Sequence, residues 1–250
     1  MPTTKHTKPT PTPASDAASE TPAAAPAAAF GDETPAAQRE RLAQIIAILK
    51  ATYPDARCSL DFTTPWELLV ATILAAQCTD ERVNSVTKRL FAQYPTVNEI
   101  ANADPTELEQ AVKQITFYRN KAKNIRTTAQ MLVSQYQGEV PRTLAEVAAL
   151  PGAARKTANV VLGNAYGIVE GIAVDTHVGR ISRRLGLTQS EDPVVIEQVL
   201  MRLIPKDDWV LFSHLLIFHG RAVCQSRKPL CAECGLAQLC PTGRSTLGLG

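Results

Sequence analysis

Apolar residues recur along most of this chain with a period near that of a helix. Leu42, Ile45, Ile46 and Leu49 fall at i, i+3, i+4 and i+7, which predicts an amphipathic helix with one buried stripe. Thr34-Pro35 marks its start, a hydroxyl to accept from first-turn N–H groups and then a proline where a missing N–H costs nothing. The same punctuation stands at Thr64-Pro65 with Glu67, at Asp104-Pro105 with Glu107 and at Asp192-Pro193. Val83, Val86 and Leu90 give another apolar face, as do Leu108, Val112 and Ile115, and then Ala122, Ile125, Ala129, Leu132 and Tyr136 before Gly138. Thr143 and Glu146 cap a short helix into Leu150; further helices are expected over 155–166 up to Gly167, over 175–185 up to Gly186, and from about 207 to Gly220. No run alternates as a strand would, and nothing repeats at a fixed period. The pattern predicts an all-α chain of about ten helices on short loops, with residues 64–167 forming one compact bundle.

Composition changes this picture at the ends. The first 36 of 250 residues are mostly Ala, Pro and Thr, with too little apolar surface to offset the entropy of ordering, so a disordered tail is expected over 1–36. That tail has neither arginine nor an apolar core segment, and so resembles neither a secretory signal nor a transit peptide. Lys and Arg total 26 against 24 acids, and the part beyond the tail is mildly basic, which suits an anionic polymer without selecting one. No apolar run reaches the length of a membrane span, so a cytoplasmic protein is expected, whose six cysteines are ligands or buried thiols rather than disulfides.

Two stretches carry chemistry. In Leu150-Pro-Gly-Ala-Ala-Arg-Lys156-Thr-Ala-Asn-Val-Val161, Pro151 and Gly152 allow a sharp reversal, and the helix after it offers unpaired N–H groups and a positive dipole end to a phosphate. Lys156 lies in that first turn, as a nucleophile or as one more phosphate contact. Asp175, nineteen positions on in Val174-Asp-Thr-His-Val178, is a helix cap or a catalytic carboxylate. The second stretch is C-x6-C-x2-C-x5-C, formed by Cys224, Cys231, Cys234 and Cys240. Four clustered thiols ask for a soft metal centre, and spacing alone fits zinc or an iron–sulfur cluster equally. Arg227 and Lys228 in its first loop are phosphate contacts or plain surface charges.

Taken together, the hairpin LPGAARKTANVV, the segment VDTHVGR and the cysteine set, in that order, resemble the endonuclease III family of DNA glycosylases in the helix-hairpin-helix superfamily. The resemblance covers residues 38–241 and extends to Ala76-Gln-Cys-Thr-Asp80 and Phe117-Tyr-Arg-Asn-Lys-Ala122. It implies two helical domains, a six-helix barrel over 57–168 and a cluster domain made of 37–56 and 169–241, with 242–250 a flexible C-terminus. It further implies a [4Fe–4S] cluster on the four cysteines. The partner would be double-stranded DNA containing oxidised pyrimidines or abasic sites, and the chain would act as a monomer.

The same resemblance gives roles to single residues. Lys156 would attack C1′ of a flipped-out nucleotide, expel the base, and form a Schiff base that undergoes β-elimination, which requires a neutral and therefore partly desolvated amine. Asp175 would take the ammonium proton or stabilise the developing sugar cation. Gln77 would fill the gap opposite the orphaned base. Phe117, where the family usually has leucine, would be a wedge, its alternative being an ordinary core aromatic. His177 falls at a position near DNA or lesion, or is structural; Gly152 and Ala154 belong to the DNA-holding hairpin; Cys58 and Cys78 are expected as buried thiols. The family's hairpin has a second glycine where this chain has Ala154, so strain or a blocked phosphate and weaker DNA binding are expected there, the alternative being a hairpin conformation that alanine tolerates. Two rivals stand beside this reading. An adenine-mismatch glycosylase would lack the hairpin lysine and carry an early catalytic acid, yet 68–78 has none. A non-catalytic DNA-holding module would not need Lys156 and Asp175 together.

Overall fold

The structure is a computed structural model that describes residues 33–249. Most of the tail expected over 1–36 therefore lies outside the described residues. Its last positions are ordered: Arg41 holds both carboxylate oxygens of Glu33 at 2.9 Å, and the Ala37 N–H donates to the Thr34 hydroxyl at 3.2 Å.

Twelve α-helices run through the described residues. They are α1 (Pro35–Thr52), α2 (Pro65–Ala75), α3 (Asp80–Gln93), α4 (Val97–Asn102), α5 (Pro105–Ala111), α6 (Tyr118–Gln135), α7 (Leu144–Ala148), α8 (Arg155–Val161), α9 (Thr176–Arg184), α10 (Pro193–Leu203), α11 (Trp209–Ala222) and α12 (Pro241–Leu247). Among the described residues there is no strand. The caps work as their residue types dictate: Thr64 and Glu67 form a capping box on α2, Asp104 accepts from the N–H groups of Thr106 and Glu107, and Asp192 accepts from those of Val194 and Val195.

Three details depart from expectation. The segment 242–250, expected to be flexible, carries α12, because Pro241 starts a helix whose Gly243 packs against the Ala237 backbone. The helix expected over 155–166 is α-helical only to Val161, and Leu162–Tyr166 widens into a π turn closed by Gly167 at φ 66°. Helix α4 has a capping box from Thr96 and Glu99, but six residues are too few for an apolar period to show.

The buried apolar residues form two cores. One runs from Leu60 to Leu162 and is centred on α2, whose Leu68, Leu69, Val70, Ala71 and Leu74 are fully enclosed, with α3, α6 and α8 packed on it. The other joins Leu42, Ile45 and Leu49 of α1 to residues from Ile172 to Cys240, so the start of the described chain completes the unit formed by its end. The chain crosses between cores at 56–60 and 162–172, and the candidate site lies at that junction.

Candidate active site

A cleft of about 840 Å³ is lined by residues of both cores, among them Gln77, Lys156, Asn164, Asp175, His177 and His214. Its first wall is the hairpin between α7 and α8. Gly152 turns the chain at φ 77°, and a Cβ there would lie 2.7 Å from Asn124 Nδ2 and 3.1 Å from Ile73, so both angle and space require glycine. The Thr128 hydroxyl fastens the turn by donating to the Pro151 carbonyl at 3.0 Å.

Ala154 is not strained, contrary to one branch of the sequence expectation. As N-cap of α8 it sits at φ −147° and ψ 177°, which any residue adopts, and the left-handed position of the hairpin is Gly152 instead. Ala154 offers no capping side chain, so nothing of its own covers the first-turn N–H groups of α8. Lys156, the second residue of α8, is exposed on the cleft rather than partly buried. Any desolvation of its amine is left to a bound nucleotide.

Behind Lys156, α8 is tied to the other core. Arg155 Nε donates to Glu197 at 2.6 Å and Asn159 Nδ2 donates to the same carboxylate at 2.9 Å, while Glu197 is 4% exposed. Pairing with Glu197 raises the Arg155 pKa. Gly171 makes room for this group, since a Cβ there would lie 2.0 Å from Glu197 Oε1.

The facing wall begins with Asp175, whose carboxylate accepts from the Val178 N–H at 2.8 Å as N-cap of α9. His177 follows, with Nδ1 3.2 Å from an Arg180 nitrogen; the same nitrogen donates to the Cys224 carbonyl at 3.0 Å. Burial pulls the His177 pKa below its ordinary value, against the opposing pull of Asp175. Deeper in the cleft, His214 Nε2 lies 2.8 Å from Asn164 Oδ1, a contact made possible by the π turn that carries Asn164. Burial also lowers the His214 pKa, again opposed by Asp175.

At the mouth, Gln77 follows α2 with φ 56° and is exposed. Arg221 of α11 crosses to Asp80 of α3 at 2.5 Å and to the Ser59 hydroxyl at 3.2 Å, so a second tie joins the cores. Phe117, preceding α6, has φ 58° and is 61% exposed, which excludes a core role; it does not line the cleft. Cys58 and Cys78 are only partly buried and do line it, and burial raises the Cys58 pKa.

All four C-terminal cysteines line one small cavity with Arg184 and His219. Among the described residues no three His, Cys, Asp or Glu side chains are grouped to hold a metal ion. Burial raises the pKa of Cys234 and Cys240, and pulls that of His219 down to about 4. Arg184 organises the first cysteine loop by donating to the carbonyls of Gln225 and Ser226 at 2.7 Å each. Arg227 and Lys228 are exposed on that loop, away from the cleft lining.

Thus Gln77, Lys156, Asp175 and His177 share one cleft, whereas Phe117, Gly152, Ala154, Arg227 and Lys228 lie outside its lining. Sequence reasoning missed Glu197, Asn164, His214 and Arg221, whose contacts span 38 to 162 positions and leave no local pattern.

The chain is similar to known proteins. Residues 70–206 match the HhH-GPD superfamily base excision DNA repair protein model. The chain is 55% identical over 211 residues to an endonuclease III of Synechocystis sp., covering 84% of this chain and 96% of that one. Against an endonuclease III of Bacillus subtilis the identity is 49% over 193 residues, covering 77% and 88%. A solved structure of a trapped endonuclease III–DNA covalent intermediate superposes with a TM-score of 0.79 at 44% identity, covering 84% of this chain and 98% of the other.

Proposed function

Because the chain belongs to the endonuclease III family within the HhH-GPD superfamily, we propose that it excises oxidised pyrimidines and nicks abasic sites, with Lys156 as nucleophile and Asp175 as its partner. The protein is a base excision repair DNA glycosylase and AP lyase. The observation that carries the residue assignment is that Lys156 and Asp175 open into one cleft from the N-terminal ends of α8 and α9.

In this reading the hairpin and the N-terminus of α8 hold a backbone phosphate, and the damaged nucleotide swings into the cleft. Lys156 Nζ bonds to C1′ as the glycosidic bond breaks with its electron pair on the base, and Asp175 takes the proton from the amine. The carboxylate that caps α9 by accepting the Val178 N–H also lines the cleft, so one side chain serves both roles. The C1′–O4′ bond then opens, with a proton passing to O4′, to give the iminium; loss of a C2′ proton to this electron sink breaks the C3′–O bond and expels the 3′ phosphate. Gln77 and Phe117 fill the gap left in the duplex, and the His214–Asn164 pair faces the extruded base.

The four cysteines fit a [4Fe–4S] cluster. Arg184 donates to Cys224 Sγ at 3.2 Å, the Gly243 N–H to Cys240 Sγ at 3.4 Å, and His219 Nε2 lies 3.7 Å from Cys234 Sγ, a donor set suited to thiolates. All four thiols line one cavity, which is where such a cluster would be held. When bound, the cluster would pin the 224–240 loop.

Borohydride reduction during reaction with an abasic-site duplex tests the assignment. A covalent protein–DNA adduct is expected, lost in Lys156→Gln, while Asp175→Asn slows its formation by orders of magnitude and binds the duplex with little change. An adduct that persists in Lys156→Gln would place the amine elsewhere.

A further inference from the structure

Among the described residues, three that are not glycine have positive φ, and two of them are Gln77 and Phe117. A side chain with a Cβ rarely occupies that region, so the surroundings must hold it there. Both residues are exposed, one following α2 and the other preceding α6. No packing of their own side chains explains the backbone.

One residue is bonded to the backbone beside both. The Lys121 N–H donates to the Phe117 carbonyl at 3.2 Å, closing the first turn of α6. The Lys121 ammonium, folded under that turn, donates to the Leu74 carbonyl at 2.8 Å and to the Ala76 carbonyl. The Ala76 carbonyl belongs to the peptide unit whose nitrogen is that of Gln77. These carbonyls are the open acceptors at the negative end of α2, where a cation is favoured.

Lys121 is 6% exposed and, among the described residues, forms no ion pair with a carboxylate. Burying an ammonium on neutral carbonyls is costly, and burial lowers the Lys121 pKa, opposed by the nearby Cys78. A methionine would fill the same space without that cost. The charge therefore has a use other than packing.

We propose that Lys121 is a positioning residue that sets the separation and aim of Gln77 and Phe117, so that both enter the gap left by one flipped nucleotide. This rests on the reading of those two side chains as gap fillers. Lys121 touches no nucleotide itself. It couples two loops that are 40 positions apart in sequence and belong to different helix ends.

The test is a double-mutant cycle on the full chain. Lys121→Met is made in the parent and in a Gln77→Ala/Phe117→Ala background, and dissociation constants are measured for a duplex carrying a stable abasic-site analogue and for an undamaged duplex. In the parent background, analogue binding should weaken by about tenfold with undamaged binding unchanged, whereas in the filler-free background the same substitution should change neither, as expected of coupled sites. Unstacking of 2-aminopurine placed opposite the analogue should fall in the same pattern. Lys121→Arg keeps donors for both carbonyls and should recover analogue binding to within about twofold, which loss of packing alone would not predict. Equal loss in both backgrounds, or no loss in the parent, overturns the proposal. Borohydride trapping of the parent separates this failure from that of the functional reading: an adduct with additive binding losses sinks only the role of Lys121, and no adduct sinks the enzyme assignment.

Discussion

At Ala154 the hairpin shows how far one residue type can be read. The family usually has glycine there, and the two physical reasons for glycine are a left-handed backbone or close approach by a ligand. The first does not apply, because φ is −147°. Only the methyl group facing a phosphate remains, on an exposed residue with its N–H still in place. Ala154→Gly should therefore tighten binding to an abasic-site duplex by about threefold, with trapping through Lys156 unchanged, and should alter stability by no more than a few tenths of a kcal/mol. Fluorescence titration at fixed salt, alongside a melt of each protein, checks both halves. Gly152 is the opposite case: a side chain there would need a strained angle and would press on Asn124.

The loop between Cys224 and Cys231 is the element whose purpose is least visible locally. It has no helix or strand of its own, and its form comes from Arg184 bonding the carbonyls of Gln225 and Ser226 and from the Leu230 N–H donating to the Val223 carbonyl at 3.0 Å. That fixed form presents Arg227 and Lys228 to solvent as a pair. If both reach phosphates, replacing both by alanine should lessen the slope of log K against log salt by about two, and weaken damaged and undamaged duplexes alike. Binding measured at several salt concentrations decides this; an unchanged slope would make them plain surface charges. The π turn after α8 is the complementary lesson, an interruption of a helix that brings Asn164 to His214.

On the scale of the molecule, two cores meet across a cleft, and among the described residues two ion pairs bridge them. Arg221–Asp80 stands at the mouth with both partners partly in water, so it adds little on its own. Arg155–Glu197 is asymmetric: the carboxylate side chain is 5% exposed and the guanidinium side chain 45% exposed. Removing Arg155 leaves Glu197 buried with Asn159 as its remaining donor, whereas removing the charge of Glu197 leaves Arg155 in water. Arg155→Met should thus destabilise the fold by about 3 kcal/mol, and Glu197→Gln by clearly less. Urea unfolding of the two variants gives the comparison, and equal losses would mean that the pair, rather than the buried charge, is what matters. Since Arg155 adjoins Lys156, the less stable variant should also trap DNA more slowly.

The helices were legible wherever a cap stood before an apolar period, as at Thr64, Asp104, Asp192 and Asp175, because both signals act within one or two turns. The hairpin lysine, the capping aspartate and the four cysteines were legible for a related reason: their chemistry depends on residue type and close spacing. Short α4 and α12 were not read, although Thr96 and Glu99 mark the start of α4 as Thr143 and Glu146 mark that of α7. Nor could sequence show that Ala154 is unstrained, that Phe117 has a left-handed backbone angle, or that a lysine beneath it holds the end of another helix. Those facts belong to backbone angles and to contacts such as Lys121–Leu74, 47 positions apart, or Arg155–Glu197, 42 apart. Sequence determined the elements and the candidate groups, because these depend on near neighbours; only packing of the two cores decided which of those groups share a cleft, because their partners are remote in the chain.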